Sequence, residues 1–158
     1  MTSAPAALAH VHITPEAVDA HARADFTLRL QEEVDGARTT RVDMTIPDGF
    51  SLETATSGAG WTADVAGRVV MWTGRGDLAL RFTGAPGDAG EYAFEVRQHY
   101  SNESVVDWAG DHDSETPAAA VRVSNGGLST FAIVVFAIGG FAIVAGIVAL
   151  LARNRSLA

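Results

Sequence analysis

The stretch Tyr-Ala-Phe-Glu-Val-Arg-Gln at residues 92–98 alternates large, mostly apolar side chains with alanine and charged residues. Successive side chains of a β-strand point to opposite faces, so this stretch predicts a strand with one face in a core and the other in solvent. The alternation recurs at residues 26–30 and 42–46, with glycine, proline and aspartate at the turns between segments. Roughly eight or nine such segments follow one another between His10 and Val123. The pattern predicts an all-β domain.

The expected domain is an antiparallel β-sandwich over residues 10–123. Each strand offers one apolar face, and two packed sheets bury such faces against each other. An Ig-like or cupredoxin-like sandwich is the economical arrangement for about 115 residues. No segment of the domain has the periodicity of an amphipathic helix, the alanine-rich residues 15–24 included.

The charge is divided unevenly along the 158 residues. All 19 acidic residues precede position 116, and every basic residue is an arginine. With nine arginines against 19 carboxylates, the first 123 residues carry a formal charge of −10. This charge repels phosphate backbones and argues against a nucleic-acid partner, whereas cations are natural partners. The absence of cysteine excludes disulfides and thiolate metal sites.

Residues 131–152 read FAIVVFAIGGFAIVAGIVALLA, 22 consecutive residues without a charge. A helix of this length spans about 33 Å, close to the roughly 30 Å hydrocarbon core of a bilayer. The pattern predicts a single transmembrane helix, preceded by a linker at residues 124–130. Arginines 153 and 155 follow the helix directly, and positive residues stay on the cytoplasmic side. We therefore expect a single-pass protein of the cell membrane, with residues 153–158 as a cytoplasmic tail and the β-domain on the extracytoplasmic side.

Residues 1–9, MTSAPAALA, are interpreted as the remnant of a signal peptide or leader. They lack a basic n-region and an apolar run, yet Ala7-Leu8-Ala9 is the small-x-small pattern that signal peptidase prefers. Either the given start lies inside a longer, signal-bearing precursor, or the C-terminal helix alone inserts the chain. The first explanation is favoured, because the second leaves the N-terminal domain without an evident route across the membrane.

Cleavage after Ala9 would make His10 the first residue of the mature protein. Its α-amino group would then have a pKa of about 8 and could bind a metal together with Nδ1 of the same residue. Two nitrogens in one chelate plane suit copper(II), which has the highest affinity in the divalent series. His12 lies two residues further along a predicted strand, so it shares a face with His10 and is a further candidate ligand.

Two other motifs favour ordinary structural interpretations. Gly74-Arg75-Gly76-Asp77 contains an integrin-recognition tripeptide but is typical of a tight turn. Residues 107–115 are rich in oxygen ligands but lack EF-hand spacing, which favours a solvated acidic loop. The three tryptophans lie in alternating strands, where burial in the core is the default expectation; they are Trp61, Trp72 and Trp108.

The segment Ala-His-Val-His-Ile-Thr-Pro at residues 9–15 resembles the mature start of the YcnI-like bacterial extracytoplasmic copper-binding domains. The resemblance covers about 115 residues, the whole predicted outer domain. Each motif alone is weak, and their order and spacing together carry the resemblance. The further matches are TTRVDMTIPDG at 39–49, GWT at 60–62, VVMWTG at 69–74, FEVRQHYSNESVVDW at 94–108 and TPAAAVRV at 116–123.

The resemblance implies an Ig-like sandwich that binds copper(II) through His10 as a one-histidine brace. It implies that Trp108 lies beside the metal and that carboxylates complete the ligand set, with Asp107 and Glu16 as the expected ones. It also implies a role in copper handling, as a chaperone or an accessory to copper transport or delivery proteins, and no enzymatic activity. The chain departs from the family in the incomplete leader and in lacking the cysteine that some members carry at residues 31–36.

Three functions follow from the sequence. The leading prediction is a membrane-anchored, extracytoplasmic copper(II)-binding protein in copper acquisition or transfer. The alternative is a metal-free structural or interaction module anchored in the membrane. A copper-dependent oxidase would need a second histidine ligand, for which the sequence offers only His12, His99 or His112.

Overall fold

The computed structural model describes residues 11–126 of the chain. These residues form eleven strands joined by loops and contain no helix. The predicted all-β domain is therefore confirmed for these residues. The strands are β1 (His12–Thr14), β2 (Ala17–Asp19), β3 (Ala24–Arg29), β4 (Thr39–Thr45), β5 (Phe50–Thr56), β6 (Trp61–Ala66), β7 (Val69–Gly74), β8 (Ala79–Pro86), β9 (Gly90–Tyr100), β10 (Val105–Trp108) and β11 (Ala119–Ser124).

Several predictions concern other parts of the chain. The leader at residues 1–9, the transmembrane helix at 131–152 and the tail at 153–158 lie outside the described residues, as does most of the linker at 124–130. A search of residues 11–126 finds no helix with the length and apolarity to cross a bilayer.

The strands form two sheets. The smaller sheet has the order β1-β3-β8-β5, and the seven-stranded sheet has the order β2-β11-β9-β4-β7-β6, with β10 also paired to β9. Strand β9 contains the stretch from which the fold was predicted, and it has neighbours on both sides. It pairs with β11 along its first half, with β10 along its second half, and with β4 on the opposite side.

The strand count exceeds the prediction because two strands carry weak signals. Strand β2 is only three residues long. In β5 the register shifts between Leu52 and Thr54, so the alternation of side chains is interrupted. Strand β6 differs in another way: Trp61 is buried, but Val65 on the same predicted face is 53% exposed. Strand β6 is an edge strand of the seven-stranded sheet, with a neighbour on one side only.

The core lies between the two sheets and is centred on aromatic rings. Phe26 stacks on Phe82 across neighbouring strands, with ring centroids 5.2 Å apart. Phe50 meets Phe94 of the opposite sheet edge-on at 5.1 Å. Such pairs add to the area that each ring buries, so these contacts stabilise the packing of one sheet on the other. The expectation of burial holds for all three tryptophans: Trp61, Trp72 and Trp108 are 4%, 0% and 2% exposed.

The N-terminal part of the described chain changes sheet between its first and second strands. Strand β1 pairs with β3 in the smaller sheet, whereas β2 runs parallel to β11 in the larger one. Pro15 and Glu16 therefore cross between the sheets at one edge of the sandwich. The backbone oxygen of Glu16 accepts a hydrogen bond from Arg122 N at 2.8 Å, which fixes this crossing against β11.

A second crossing, from β7 to β8, contains the Gly-Arg-Gly-Asp sequence. Residues 75–78 lie between strands and form a loop that joins the two sheets, longer than the tight turn that was expected. Gly60, Gly74 and Gly76 all have positive φ, and a Cβ on any of them would overlap a backbone oxygen of the facing segment. Arg75 N donates to Gly60 O at 3.0 Å. The loop is held by close backbone contact that only glycine permits.

We predict that Gly60→Ala lowers the free energy of unfolding by at least about 2 kcal/mol. The added Cβ would overlap Arg75 O, and the φ of +89° disfavours any side chain. Gly67→Ala is the matched control, because its φ is +61° but nothing lies within 4 Å of a Cβ there; we expect a loss of about 1 kcal/mol. Urea unfolding measures both variants. Equal losses would contradict the role given to close backbone contact.

Candidate metal centre

Two of the predicted metal-site residues line one cavity at the edge where the chain changes sheet. The cavity has a volume of about 230 Å³, and His12 and Glu16 contribute to its wall. Val11 lines it as well and is the first described residue. His10, to which Val11 is bonded, lies outside the described residues.

Strand geometry explains why His12 faces this cavity. Its neighbours Val11 and Ile13 are 5% and 1% exposed, so the alternation of β1 turns His12 outward. Glu16 reaches the same cavity from the crossing that follows β1. Both side chains are exposed, so a ligand can approach them from solvent.

Three further polar side chains line the cavity: Glu91 on β9, Arg122 on β11 and His112 in the loop between β10 and β11. Glu91 and Arg122 were not predicted as site residues. They are partners in the register of β9 and β11, and only that strand pairing brings them together. His112 was foreseen only as a second histidine of an oxidase. Its side chain is 92% exposed, and Nδ1 lies 3.2 Å from the carboxylate of Asp113.

The other two predicted residues lie elsewhere. Asp107 lines a different cavity, and its carboxylate accepts a hydrogen bond from Arg97 Nε at 2.6 Å. This contact raises the pKa of the Arg97 guanidinium. Trp108 is the next residue of β10, so its side chain points the opposite way, into the core. The structure thus brings His12 and Glu16 together and places Asp107 and Trp108 outside the wall of their cavity.

Trp108 is held by a buried polar side chain, Gln98. Trp108 Nε1 donates to Gln98 Oε1 at 3.1 Å, and Gln98 itself is 0% exposed. The amide nitrogen of Gln98 donates to Gln31 O at 2.9 Å and to Thr39 Oγ1 at 2.7 Å. The sequence placed Gln98 on the core face of β9 but gave no indication of these partners. This amide joins β10, the start of β4 and the loop after β3.

We predict that Gln98→Leu destabilises the domain by about 2 kcal/mol or more, because Trp108 Nε1 would be left as a buried donor without an acceptor. Gln31→Leu is the control, since Gln31 is exposed and only its backbone oxygen contacts Gln98. Urea unfolding with tryptophan fluorescence measures both. A Gln98→Leu variant as stable as Gln31→Leu would show that the amide is dispensable.

The residues that the structure describes do not form a complete metal site by themselves. Within residues 11–126, no group of three or more histidine, aspartate or glutamate side chains is arranged to hold a metal ion. The cavity of His12 and Glu16 therefore brings donor-bearing residues to one wall without forming such a group.

Comparison with known proteins supports the fold and finds a family match over part of the chain. Residues 10–72 match the family model described as "Domain of unknown function (DUF1775)". An uncharacterized protein from Nocardia farcinica, whose crystal structure reveals an immunoglobulin-like fold, is 26% identical with a TM-score of 0.58, over 73% of this chain and 98% of that one. No curated protein is significantly similar to the chain.

Two cohesins share the fold at low identity. The seventh ScaB type I cohesin from Pseudobacteroides cellulosolvens is 8% identical with a TM-score of 0.50, over 75% of this chain and 94% of that one. The sixth cohesin of the Acetivibrio cellulolyticus scaffoldin B, solved with a Cel5 dockerin, is 8% identical with a TM-score of 0.50, over 73% and 99%. This likeness concerns the fold alone.

Of the two sandwich types expected, the Ig-like one is confirmed by the Nocardia farcinica structure. The family match begins at His10 and includes the segment on which the resemblance was first based. DUF1775 is the family domain of the YcnI-like proteins, so that resemblance is confirmed as well. Residues 10–72 therefore match the DUF1775 domain of the YcnI-like family.

Proposed function

We propose that this protein is a membrane-anchored, extracytoplasmic copper(II)-binding protein that acts as a copper chaperone or accessory in copper acquisition. One observation carries the proposal: Val11, His12 and Glu16 line a single cavity, and Val11 is bonded to His10. His10, the proposed brace residue, is thus bonded to a residue that lines this cavity. Two other predicted ligands, His12 and Glu16, line the same cavity.

In the proposed site, His10 supplies its α-amino nitrogen and Nδ1 to one copper ion. His12 offers an imidazole nitrogen and Glu16 a carboxylate oxygen at the same cavity. Nitrogen donors with one carboxylate suit copper(II) better than the hard cations, which prefer oxygen ligands. Asp107 is a weaker candidate than Glu16, because it lines another cavity and pairs with Arg97.

The exposure of the donors supports a role in transfer. His12 and Glu16 are both exposed at the edge of the sandwich. Donor groups of a partner protein can therefore reach a metal held there and replace its ligands one at a time. A copper transport or delivery protein is the proposed partner, and the acidic charge of the domain favours the approach of cations.

We expect that the chain beginning at His10 binds one copper(II) ion and that one extra N-terminal residue weakens binding at least about 100-fold, or about 2.8 kcal/mol. The extension converts the amine to an amide, which opens the chelate ring. His10→Ala removes the imidazole and is expected to be equally severe. Titration against a competing chelator, followed by the d–d absorption of copper(II), measures the affinities.

His99→Ala is the control for these variants. Its imidazole lies 3.0 Å from the carboxylate of Asp43 on another part of the larger sheet, so copper affinity is expected to stay unchanged. An extended chain that binds as tightly as the one beginning at His10 would rule out the brace. A chain that binds no copper in either form would favour the metal-free interaction module.

The carboxylate is tested separately. We predict that Glu16→Gln weakens copper binding about tenfold, while Asp107→Asn leaves it unchanged because Asp107 does not line the cavity. Competition titrations of both variants, with His10 as the first residue, give the comparison. A loss confined to Asp107→Asn would reverse the assignment.

A further inference from the structure

A second cavity, of about 740 Å³, lies at one end of the larger sheet. The start of β4, the end of β7 and the end of β9 meet there, because Thr39 pairs with Tyr100 and Arg41 pairs with Thr73. Arg38 and Arg75 both line this cavity, from the loop before β4 and the loop after β7. We call it the arginine cavity. It shares no lining residue with the cavity of His12 and Glu16.

The two arginines have no carboxylate partner among residues 11–126. Four of the nine arginines in this part of the chain form ion pairs with aspartate or glutamate, and Arg38 and Arg75 are not among them. Because both guanidinium groups line the same cavity, an anion bound there would be attracted by two positive charges.

Glu32 also lines the arginine cavity, but its carboxylate is already engaged. It accepts hydrogen bonds from the backbone nitrogen of Thr39 at 3.0 Å and from the Thr39 hydroxyl at 2.7 Å. It forms no ion pair with either arginine. The cavity therefore keeps a formal charge of +1 within a domain of strongly negative charge.

Hydrogen bonds hold the backbone of both Arg38 and Arg75 before any ligand binds. Arg75 lies in the loop between β7 and β8 that Gly60, Gly74 and Gly76 hold by close backbone contact, and its backbone nitrogen donates a hydrogen bond to Gly60 O. Arg38 forms two backbone hydrogen bonds with Ser101, in the turn after β9. Its backbone nitrogen donates to Ser101 Oγ at 3.1 Å, and its backbone oxygen accepts from Ser101 N at 2.8 Å. A ligand would order only the side chains, so less conformational entropy is lost on binding.

The side chains that line the arginine cavity are suited to bind an oxyanion. A guanidinium group presents parallel N–H donors that fit the two oxygens of a carboxylate or phosphate. Ser101 Oγ accepts from Arg38 N, so its own hydrogen remains available to donate. Thr73 adds a second hydroxyl to the same wall. We propose that the arginine cavity binds the carboxylate or phosphate group of a small molecule, between Arg38 and Arg75.

The test is a calorimetric titration of the metal-free full chain with inorganic phosphate and, separately, with succinate, at constant ionic strength in a chloride buffer. We expect saturable binding of at least one of the two anions, with one site per chain. Arg38→Gln and Arg75→Gln are each expected to weaken it about tenfold, because each removes charge-assisted hydrogen bonds. Arg38→Lys, which keeps the charge but loses the planar donor pair, should lie between Arg38→Gln and the unchanged chain.

Arg81→Gln is the matched control, since Arg81 is an exposed arginine without an ion pair that does not line this cavity. Binding of phosphate alone, or of succinate alone, supports the proposal and identifies the anion class. A failure of both anions to bind with a Kd below about 10 mM overturns it. So does an equal loss in Arg81→Gln, which would indicate a general charge effect. Thermal unfolding of each variant verifies that it is folded, and the result is independent of copper binding.

Discussion

The pairing of β9 on both of its sides is the constraint on which the rest of the domain depends. Its inward row, which includes Phe94, Val96 and Gln98, forms one wall of the core, and a shift of one residue would turn this row to solvent. The register of β9 therefore has little freedom, and it sets the register of β11, β10 and β4. Because β11 pairs with β2 and donates a backbone hydrogen bond to Glu16 O, the same register also positions the wall of the cavity of His12 and Glu16.

Gln98 is the one amide in that inward row, and its hydrogen bonds link β9 to other parts of the domain. An apolar side chain there would fill space equally well but would bind nothing. The Gln98 amide accepts a hydrogen bond from Trp108 through its oxygen and donates one to the Thr39 hydroxyl through its nitrogen. The Thr39 hydroxyl in turn donates to the carboxylate of Glu32. Glu32 and Thr39 both line the arginine cavity. A hydrogen-bond network thus connects the core to the arginine cavity, so the shape of this cavity depends on the packing of β9.

Regular alternation made much of the fold predictable from the sequence. Strands β3, β4 and β9 could be found because burial on one face leaves a period of two in the side chains. The bulge in β5 breaks this period, and β2 is too short to show one. At Val65, in the edge strand β6, the alternation is present but the side chain is exposed, so burial was predicted wrongly there. Local pattern records which face a residue takes, but not how far the facing sheet extends.

The site was less accessible to prediction because its members meet only through tertiary structure. His12 and Glu16 are close in sequence; the alternation of the predicted strand pointed to His12, and the resemblance to YcnI-like domains to Glu16. Glu91 and Arg122 are joined by strand pairing alone. With two carboxylates and one guanidinium, the cavity has a formal charge of −1, which is little for a hard cation such as calcium that takes about six to eight oxygen ligands. Selectivity at the proposed site therefore depends on the nitrogen donors of His10 and His12, which favour copper, and not on the acidity of the domain as a whole.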